Sequence, residues 1–518
     1  MIIFFKTKQE SIIAVESNHT LNENEVSALS WLFGKAQKQE SENIKGYFVG
    51  PRREMVTPWS TNAVEITQNM NLEGFSRIEE YFPVSSKDAA HDEMLQRMYD
   101  GLDQNIFTID HQPEPIINVE DIESFNEQEG LALSKEEIDY LHEVEKQMGR
   151  KLTDSEVFGF AQINSEHCRH KIFGGTFVID GKEMESSLFQ MIKKTTNENP
   201  NSILSAYKDN VAFAQGPMVE QFAPADQSTS DYFRVKEIES VISLKAETHN
   251  FPTTVEPFNG AATGTGGEIR DRMGGGTGSW PIAGTAVYMT AYPRLDNNTR
   301  DWEHILPVRE WLYQSPEQIL IKASNGASDF GNKFGQPLIC GSVLTFEHRE
   351  DESDNATKYA YDKVIMLAGG VGYGTKRDCL KKEPQTGNKI VVVGGDNYRI
   401  GLGGGSVSSV DTGRYSNGIE LNAIQRANPE MQKRAYNLVR ALCEEDINPV
   451  VSIHDHGSAG HLNCLSELVE ECGGQIDMTK LPIGDKTLSA KEIIANESQE
   501  RMGLLIDEKH IDHVRKIA

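Results

Sequence analysis

The chain has 518 residues, 38% of them hydrophobic and 25% charged, which is typical of a soluble protein with several separately packed domains. The formal net charge of −27, with no basic stripe, argues against a nucleic-acid partner, although backbone amides and a few cations could still hold a small anion such as a nucleotide. No run of 18 apolar residues occurs and the start, MIIFFKTKQE, has no basic region before an apolar stretch, so neither a membrane span nor a signal peptide is predicted. The six cysteines are scattered without a CxxC pair, as in reduced cytosolic proteins, and we expect a cytoplasmic location.

Residues 1–110 alternate short apolar runs with helical patterns. The runs IIFFKT, NEVSALSWLFGKA and KGYFVGP predict a β-α-β unit that ends at Pro51. A second helix and strand follow in EMVTPWSTNAVEITQNM and SRIEEYFPVS. These patterns predict a compact α/β domain.

Residues 111–195 are acidic and helical in pattern. LSKEEIDYLHEVEKQMGR has a serine N-cap with a glutamate three positions later, which predicts a capping box. TDSEVFGFAQINSEHCRHKIF keeps apolar residues at helical spacing up to about Ile163. We predict a helical linker that carries an exposed cluster at its end.

The remaining residues predict two further units, 196–378 and 379–518. Strand-like runs in the first are ESVISLKAE, GTAVYMTAY and VIMLAGGVGYG, and the turn-rich KEPQTGN follows it. The second has a strand in KIVVVGG, a helix in NPEMQKRAYNLVRALCEE, a buried strand in NPVVSIHD, a helix in LNCLSELVEEC and a strand in MGLLID. Because few strands are available to complete its sheet, we expect this last unit to be incomplete.

The stretch KAETHNFPTTVEPFNGAATGTGGEIRDRMGGGTG carries the strongest chemical signal. If VISLKAETHN is a strand, Lys245, Glu247 and His249 share one face, where they would suit phosphate, a divalent metal and proton transfer. The alternative is a solvated strand face, but such a strand does not need the glycines that follow. Glycines allow backbone amides to approach a polyphosphate, so we predict a phosphate-handling loop in which Arg270 contacts anions. Asp271 and Glu247 are then plausible Mg²⁺ ligands.

The common nucleotide-binding fingerprints are absent from the sequence. Neither GxxxxGK[ST] nor GxGxxG occurs. A nucleotide site in this chain would therefore belong to a rarer class.

Two histidine-rich motifs remain. In SEHCRHKIF, zinc binding by His167, Cys168 and His170 is disfavoured because the spacing matches no structural zinc motif, which leaves a surface cluster on a helix end or a catalytic histidine beside phosphate-binding cations. In IHDHGSAGHLN, Asp455 ends a buried strand and is well placed for a metal. A transition-metal site that uses the three histidines of the same motif, at 454, 456 and 461, is the alternative.

Taken together, SEHCRHK, KAETHNFPTTVEPFNGAATGTGGEIRD, GNKFGQP, HDHGSAG and ESQERM resemble, in order and interval, the large single-chain phosphoribosylformylglycinamidine synthases of de novo purine synthesis. The resemblance covers the whole chain. It implies an α+β and α/β multidomain protein. The implied parts are an N-terminal ferredoxin-like α/β domain similar to the small subunit of multi-subunit forms (1–110), a helical linker (111–195), the N-terminal domain of a first synthetase half (196–378) and its truncated C-terminal lobe (379–518). The synthetase part would have the ATP-binding fold of aminoimidazole ribonucleotide synthetases.

The resemblance also implies an activity. Family members convert formylglycinamide ribonucleotide, ATP and glutamine to formylglycinamidine ribonucleotide, ADP, phosphate and glutamate, through an iminophosphate that ammonia displaces. Implied cofactors are ATP and Mg²⁺. Implied partners are a second synthetase half and a glutaminase domain, and no cysteine of this chain lies in a glutaminase nucleophile elbow.

Site residues follow from the resemblance position by position. His167 and His249 match the active-site histidines. The positions that match nucleotide contacts are His170, Lys245 and the segment Gly260, Ala261, Ala262, Thr263, Gly264, Thr265, Gly266, Gly267, Glu268, Ile269, Arg270 and Asp271. The positions that match substrate contacts are Thr248, His249, Asn250, Phe251, Arg270, Gln425, Glu497, Ser498 and Gln499. The positions that match magnesium carboxylates are Glu247, Asp271 and Asp455.

One motif departs from the family pattern. The family's HDxGAGGL is HDHGSAGH in this chain, so Ser458 and His461 replace smaller or apolar residues near Asp455. Because the family's catalytic cleft forms between two pseudo-symmetric halves, we expect these 518 residues alone to bind nucleotide weakly and to catalyse little. Two other classes stay open, a binding or scaffold protein descended from the synthetase and a transition-metal hydrolase.

Overall fold

The chain divides into two compact units. The computed structural model describes residues 1–295, 299–301, 303, 314–351 and 357–518. One unit comprises Met1–Glu114 together with Ile483–Leu488, and the other comprises Pro115–Pro482 and Ser489–Ala518. Among the described helices, none is long and apolar enough to cross a membrane.

The first unit is an antiparallel sheet with two helices. Its elements are β1 (Ile2–Lys6), β2 (Ile12–Ser17), α1 (Glu23–Leu32), β3 (Gln37–Lys38), β4 (Ile44–Pro51), α2 (Pro58–Asn69), β5 (Phe75–Val84) and β6 (Gln96–Leu102). The strand order is β3-β1-β2-β5-β4-β6. Alternate residues of β1 enter different cores, Phe4 packing with Tyr81 and Phe5 with Leu29 of α1.

The predicted β-α-β unit is wrong in one respect. Before α1 begins, β2 pairs with β1 as an antiparallel hairpin. The short turn between the two strands places Glu10 at a φ of +69°, and the Ser11 hydroxyl, on the far side of the turn, lies 2.7 Å from that of Thr7. The turn thus reverses the chain between β1 and β2, so these two neighbouring strands need no helical crossover between them.

Short helices follow in the second unit. They are α3 (Ile122–Glu129), α4 (Lys135–Met148), α5 (Asp154–Ile163), α6 (Glu166–Arg169), α7 (Lys171–Gly174) and α8 (Leu188–Glu198), with a hairpin of β7 (Val178–Ile179) and β8 (Lys182–Glu183) before α8. The capping box predicted for α4 is confirmed, because Ser134 and Glu137 each accept the other's backbone N–H. Helices α3 to α5 share a core with Leu481 and Ile494, so this segment packs on the C-terminal part of the unit.

A second sheet forms the middle of this unit. Its elements are β9 (Ile203–Ser205), β10 (Ala212–Pro224), β11 (Phe233–Thr248), α9 (Asn250–Val255), α10 (Pro257–Met273), β12 (Trp280–Thr290), α11 (Pro316–Phe334), β13 (Leu338–Thr345), β14 (Glu347–Arg349), β15 (Lys358–Ala360) and β16 (Ile365–Thr375). The strand order is β13-β12-β16-β11-β10-β9, and among these described strands β12 and β13 are the one parallel pair. Helix α10 packs on the sheet, and α11 packs on α10. Many apolar side chains on the strands are exposed, among them Phe222, Val235, Leu244, Ile282 and Val343.

The C-terminal part completes the core. Its elements are β17 (Lys389–Val393), α12 (Gly404–Val407), α13 (Asn417–Asn422), α14 (Pro429–Glu444), β18 (Val450–Asp455), α15 (Gly460–Leu468), α16 (Ala490–Ile494), β19 (Met502–Ile506) and α17 (Ile511–Ile517). The sheet order is β17-β19-β18, antiparallel. One core contains Ile269 of α10, Phe330 of α11, Val439 of α14 and Leu504 of β19, so the two sheets are joined through helices. The predicted multidomain architecture that mixes α+β and α/β parts is confirmed.

Two glycine-rich stretches, GNKFGQP (331–337) and GLGGGS (401–406), are partly helical. The first residues of GNKFGQP are the last turn of α11, and Gly335, with a φ of +98°, caps the helix. The last residues of GLGGGS begin α12. In both places the glycine that turns the chain lies beside a helix end.

Candidate functional site

The end of strand β11 presents the predicted charged face. Lys245 and Glu247 are half-buried, whereas Ala246 and Thr248, which follow them in turn, are exposed, so the predicted alternation is confirmed. The Nζ atom of Lys245 lies 2.7 Å from Oδ2 of Asp271. Burial disfavours the charge of Lys245, but the carboxylates of Asp271 and Glu247 outweigh it and raise its pKa. This lysine is therefore a fixed cation.

His249 does not belong to the strand, which ends at Thr248, but lies in the turn before α9. Its Nδ1 atom is 2.6 Å from the carbonyl oxygen of Gly260. A carbonyl only accepts, so Nδ1 carries the proton and Nε2 keeps a free lone pair. Burial lowers the pKa of His249 to about 4, with a further contribution from the charge of His167. The ring is thus a neutral base at physiological pH.

The glycine-rich segment is a helix, and the prediction of a phosphate-handling loop is wrong. Residues Pro257–Met273 form α10, whose backbone N–H groups are used within the helix. Its glycines allow close packing instead. A Cβ on Gly264 would lie 2.9 Å from Cβ of His249, and one on Gly267 would lie 3.3 Å from Oε2 of Glu247. The glycines therefore let the helix approach the end of β11.

Several residues of this segment do not face the charged groups. Ala261, Ala262 and Ile269 are fully buried in hydrophobic cores. Glu268 is paired with Arg272 at 2.6 Å. The Thr263 hydroxyl donates to the carbonyl of Asn259, and Gly260 and Gly266 pack against Pro252 and Phe330. The Thr265 hydroxyl is buried without a hydrogen bond.

Three carboxylates from three elements meet beside Lys245. They are Glu247 of β11, Asp271 of α10 and Asp455 at the end of β18, and we call them the carboxylate cluster. Burial and the charge of Asp271 raise the pKa of Glu247 and of Asp455, while Lys245 holds the pKa of Asp271 low despite its burial. Oε2 of Glu247 is buried and has no hydrogen-bond partner.

Sequence reasoning missed Asn210, which joins two members of the cluster. Its Nδ2 atom lies 3.0 Å from Oδ1 of Asp271 and 3.0 Å from Oδ1 of Asp455. The residue precedes β10 in the run YKDN, where nothing in the pattern distinguishes it from an ordinary turn asparagine.

Arg270 is almost completely buried on the other side of Asp455. Its Nε lies 3.6 Å from Oδ2 of Asp455, and its Nη1 donates to Glu500 at 2.8 Å and to Gln432 at 3.0 Å. Glu500 and Gln432 were also missed, because their sequence context is that of ordinary polar residues. Arg270 is fixed by these contacts and holds the α10 end against the C-terminal part.

The SEHCRHK motif lies at the same place. His167 is on α6, whose N-cap is Ser165. The ring is exposed to solvent, yet the surrounding protein lowers its pKa, and the charges of His170 and Lys245 lower it further. His170, at a φ of +50°, stacks on Phe189 with ring centroids 6.5 Å apart.

The ESQERM motif is buried. Glu497 accepts from the backbone N–H of Ala459 at 3.0 Å and from Nε2 of Gln425 at 3.2 Å. Burial raises the pKa of Glu497 to about 7. Ser498 donates to Oδ1 of Asn496 and accepts from the Tyr398 N–H, which occupies its hydroxyl.

The other residues that were predicted to contact substrate differ in their exposure and in their hydrogen bonds. Gln499 has a φ of +64°, and its Oε1 accepts from Asn428 at 2.8 Å. Asn250 uses Oδ1 to accept from the Met366 N–H, whereas Thr248 is exposed. Phe251 is buried in a core with Val255 and Ile424, so its side chain is not open to a ligand.

The remaining histidines of HDHGSAGH separate into two groups. His454 is paired with Glu467, while Nε2 of His456 lies 2.9 Å from Nδ1 of His461. His461 in turn lies 3.1 Å from Oδ1 of Asn397. Among the residues that the structure describes, no three His, Cys, Asp or Glu side chains are grouped closely enough to hold a metal ion by themselves.

Family models match three parts of the chain. Residues 10–113 match the formylglycinamide ribonucleotide amidotransferase N-terminal model, 122–171 match the formylglycinamide ribonucleotide amidotransferase linker domain, and 385–518 match the C-terminal domain of AIR synthase related proteins. The last match assigns the C-terminal part, with its buried Asp455, to the AIR synthase related class. Together with the relatives below, these matches show that the chain belongs to the phosphoribosylformylglycinamidine synthase family.

Two curated relatives have similar levels of identity. The phosphoribosylformylglycinamidine synthase of Dictyostelium discoideum is 34% identical over 97% of this chain and 40% of its own length. The probable phosphoribosylformylglycinamidine synthase, chloroplastic/mitochondrial, of Arabidopsis thaliana is 34% identical over 98% of this chain and 38% of its own length. The chain thus spans about two fifths of the length of these relatives. Among solved structures, T. maritima PurL complexed with FGAR aligns over 74% of this chain and 50% of that chain, at 24% identity and a TM-score of 0.47.

Proposed function

We propose that this chain is the N-terminal synthetase part of an enzyme that amidates formylglycinamide ribonucleotide in an ATP-dependent reaction, with ammonia derived from glutamine. The observation that carries the proposal is the neutral His249, with a free Nε2 lone pair, beside a fixed lysine and the carboxylate cluster. Family membership supports it, because both curated relatives are named for this synthase. The domain organisation predicted from the sequence is part of the same proposal.

ATP and Mg²⁺ are the proposed cofactors, and the donors present fit the metal. Mg²⁺ prefers hard oxygen ligands and usually takes one or two carboxylates besides water and phosphate oxygens, so it does not need three protein ligands. Oε2 of Glu247 is buried without a partner, and Asp271 and Asp455 are close by. One or two of these three carboxylates, together with water and phosphate oxygens, would hold the ion. When bound, ATP and Mg²⁺ would supply a phosphoryl group for the substrate oxygen and shield its charge.

Lys245 and His170 are the proposed nucleotide contacts. Lys245 is half-buried and keeps its charge because of Asp271 and Glu247. An ammonium fixed in this way stabilises phosphate charge without reorganisation when the reaction occurs. Within the segment 260–271, we limit the proposed contacts to the two charged residues at its end, Arg270 and Asp271, because the backbone N–H groups are used within α10 and most other side chains are occupied in packing.

The proposed catalytic groups are His249 and His167. Because Nδ1 of His249 donates to Gly260, its Nε2 is the atom that would take a proton from the incoming nucleophile. His167 has a lowered pKa beside cations, so it is also neutral and could exchange a proton. Two neutral imidazoles suit a reaction in which ammonia must lose a proton.

Substrate would be held by the segment of Glu497 to Gln499 with Gln425 and Arg270. Glu497 is buried, has its pKa raised to about 7 and hydrogen-bonds to Gln425, so the two side chains form one polar wall. For Ser498 and Phe251 we propose backbone contacts only, because the hydroxyl and the ring are already occupied. The site in the first synthetase half would thus combine rigidly held side chains with a few polar groups that can adjust to the substrate.

A second synthetase half is the proposed partner. The chain spans about 40% of the Dictyostelium discoideum relative, and the strands of the β9–β13 and β16 sheet expose many apolar side chains. An apolar surface of this kind marks an interaction site. A glutaminase that delivers ammonia is the other proposed partner.

Ammonia-dependent ATP hydrolysis with formylglycinamide ribonucleotide tests the proposal. The chain would be assayed alone and mixed with the part of the Dictyostelium discoideum relative that it does not cover. We expect little turnover alone and restored turnover in the mixture. His249→Ala should abolish the restored turnover, whereas His348→Ala, an exposed histidine on β14, should leave it unchanged.

The opposite result would favour a scaffold protein. If both pieces are folded and bind each other but the mixture does not hydrolyse ATP, the proposed activity is wrong. If stoichiometric zinc copurifies and is lost in His456→Ala, the hydrolase alternative would gain support instead.

A further inference from the structure

Asn210 occupies the space between two carboxylates that come from different parts of the unit. Asp271 lies on α10 and Asp455 at the end of β18, and the amide nitrogen of Asn210 lies 3.0 Å from one oxygen of each. An amide nitrogen carries two hydrogens, so one can be donated to each carboxylate. No other hydrogen bond of the described residues links Asp271 to Asp455 through a single side chain.

The preceding residue fixes the backbone from which this amide extends. Asp209 accepts from the Gly276 N–H at 2.6 Å and from the Asn210 N–H at 2.8 Å, and it pairs with Nζ of Lys381 at 3.0 Å. Its side chain is only 5% exposed. These contacts tie the start of β10 both to the turn after α10 and to the segment before β17. Asn210 is therefore held on a rigid anchor.

The carboxylates of Asp271 and Asp455 carry like charges, so they would move apart unless other groups hold them. Two buried carboxylates repel each other strongly because little solvent screens them. Lys245 contacts Oδ2 of Asp271, Arg270 approaches Oδ2 of Asp455, and Nδ1 of His454 lies 3.4 Å from Oδ1 of Asp455. Asn210 is the side chain that joins the Oδ1 atoms of both carboxylates.

We propose that Asn210 is a positioning residue that holds the Oδ1 atoms of Asp271 and Asp455 in register for a divalent cation, with Asp209 as its anchor. The inference rests on the proposed function, because it takes Asp271 and Asp455 as cation ligands. Groups that orient metal ligands from outside the coordination shell commonly contribute about 10- to 100-fold to metal affinity. Asn210 would act from outside the coordination shell in this way, since it contacts the proposed ligands but is not one of them.

Binding of Mn²⁺ to the 518-residue chain tests the proposal without any assay of turnover. Mn²⁺ replaces Mg²⁺ as a paramagnetic probe, and its free concentration is read by electron paramagnetic resonance. Asn210→Leu keeps the branching at Cγ but has no donor, and we expect its Kd for Mn²⁺ to rise about 10-fold or more. Asp209→Asn, which touches neither carboxylate, should give a smaller rise. Asn388→Leu, in a surface turn, should give none.

Melting temperature separates positioning from a merely structural role. If Asn210→Leu lowers the melting temperature but the folded protein keeps the wild-type Kd, the proposal is wrong. If Asn210→Leu does not fold, Asn210→Ser carries the same test, because its short hydroxyl cannot reach both carboxylates.

One further variant distinguishes failure of this inference from failure of the proposed function. Asp271→Asn should weaken Mn²⁺ binding if the carboxylate cluster holds the cation. Should Asp271→Asn weaken binding while Asn210→Leu does not, only the role of Asn210 is overturned. Should neither weaken it, the proposed metal site itself is wrong, and the inference is overturned with it.

Discussion

The carboxyl group of Glu497 shows how burial sets the charge of a single residue. It is 6% exposed and receives hydrogen bonds from a backbone N–H and an amide, and none of the described cations lies at contact distance. A buried carboxyl without a paired cation favours its neutral form. The site is thus able to present either an acid or a carboxylate near neutral pH.

A pH-dependent stability follows from this residue. Its folded-state pKa is about 7, above its usual value, so the folded chain binds a proton between roughly pH 4.5 and pH 7 that the unfolded chain has released. The contribution of Glu497 to stability is therefore fully present below this window and is lost as the pH rises through it. Glu497→Gln should remove this dependence and stabilise the protein at pH 8 by up to about 3 kcal/mol.

Thermal melting at pH 5 and pH 8 checks the sign of this pH dependence. The difference between wild type and Glu497→Gln isolates this group from the other carboxylates. A variant less stable than wild type at pH 8 would show that the charged form is the favoured one.

A second residue-scale prediction concerns Arg272. The side chain is completely buried and donates to Glu268 at 2.8 Å and to the carbonyl of Val371 at 2.6 Å. Arg272→Met should cost about 3–5 kcal/mol because it leaves the carboxylate of Glu268 buried without its cation. Chemical unfolding followed by circular dichroism measures the change.

Two comparisons control this prediction. Combining Arg272→Met with Glu268→Gln should recover part of the loss, since the unpaired charge is removed. Arg434→Met breaks an exposed pair with Glu430 and should change stability by less than about 1 kcal/mol. Equal losses in the buried and exposed cases would contradict the argument.

At the scale of elements, α10 is the main difference between sequence and structure. Strands β11, β12, β16 and β18 were predictable because their apolar runs are long and bounded by turn residues. Helix α10 was not, because Gly260, Gly264, Gly266 and Gly267 each cost about 1 kcal/mol of helix propensity relative to alanine. Packing against β11 and α11 outweighs this cost, and such tertiary contacts are invisible in a local pattern.

The candidate site shows the same limit. Alternation along β11 predicted that Lys245 and Glu247 share a face, and the structure agrees. Asn210 and Glu500 could not be found in this way, because each reaches the site from an element distant in sequence. Physical partners across hundreds of residues leave no local signal in one sequence.

Alanine substitutions in α10 should rank by what the new Cβ meets. On Gly260 it would lie 2.3 Å from the backbone of Pro252, and on Gly266 it would lie 2.6 Å from the Phe330 ring. We expect Gly260→Ala to be the more destabilising, because backbone cannot move aside, and Gly266→Ala to cost about 1–3 kcal/mol. In α13, Gly418→Ala meets nothing within 4 Å and should stabilise by up to about 1 kcal/mol.

Melting temperatures of the three variants provide the measurement. Adding Phe330→Leu to Gly266→Ala should restore part of the loss, but it should not rescue Gly260→Ala. If all three alanines stabilise the protein, helix propensity rather than close packing controls α10.

At the scale of the whole molecule, the dominant feature is the exposed apolar surface of the sheet formed by β9–β13 and β16. Val235, Leu244 and Val343 are 59%, 49% and 53% exposed. A net charge of −27 opposes self-association of the chain, but it does not cover this surface. The isolated chain should therefore bind a hydrophobic dye.

Charged substitutions test whether this surface binds the rest of the synthase. Val235→Lys combined with Leu244→Lys should lower dye binding and weaken complementation by the uncovered part of the relative at least about tenfold, as expected for loss of buried apolar contacts. Ile447→Lys, at another exposed apolar position, should have no effect on complementation. Unchanged complementation in the double variant would place the partner elsewhere.

The first unit is built from two segments that are far apart in sequence, and this has a consequence for biosynthesis. Its six residues Ile483–Leu488 emerge from the ribosome about 370 residues after Glu114. At roughly 5–20 residues per second, this interval lasts roughly 20 to 75 s. During that time all six strands of the N-terminal sheet are available, but the unit lacks its Ile483–Leu488 segment while the middle of the chain is translated. Translation speed and chaperone access over this stretch should therefore influence the yield of native protein more than they would for a domain that is continuous in sequence.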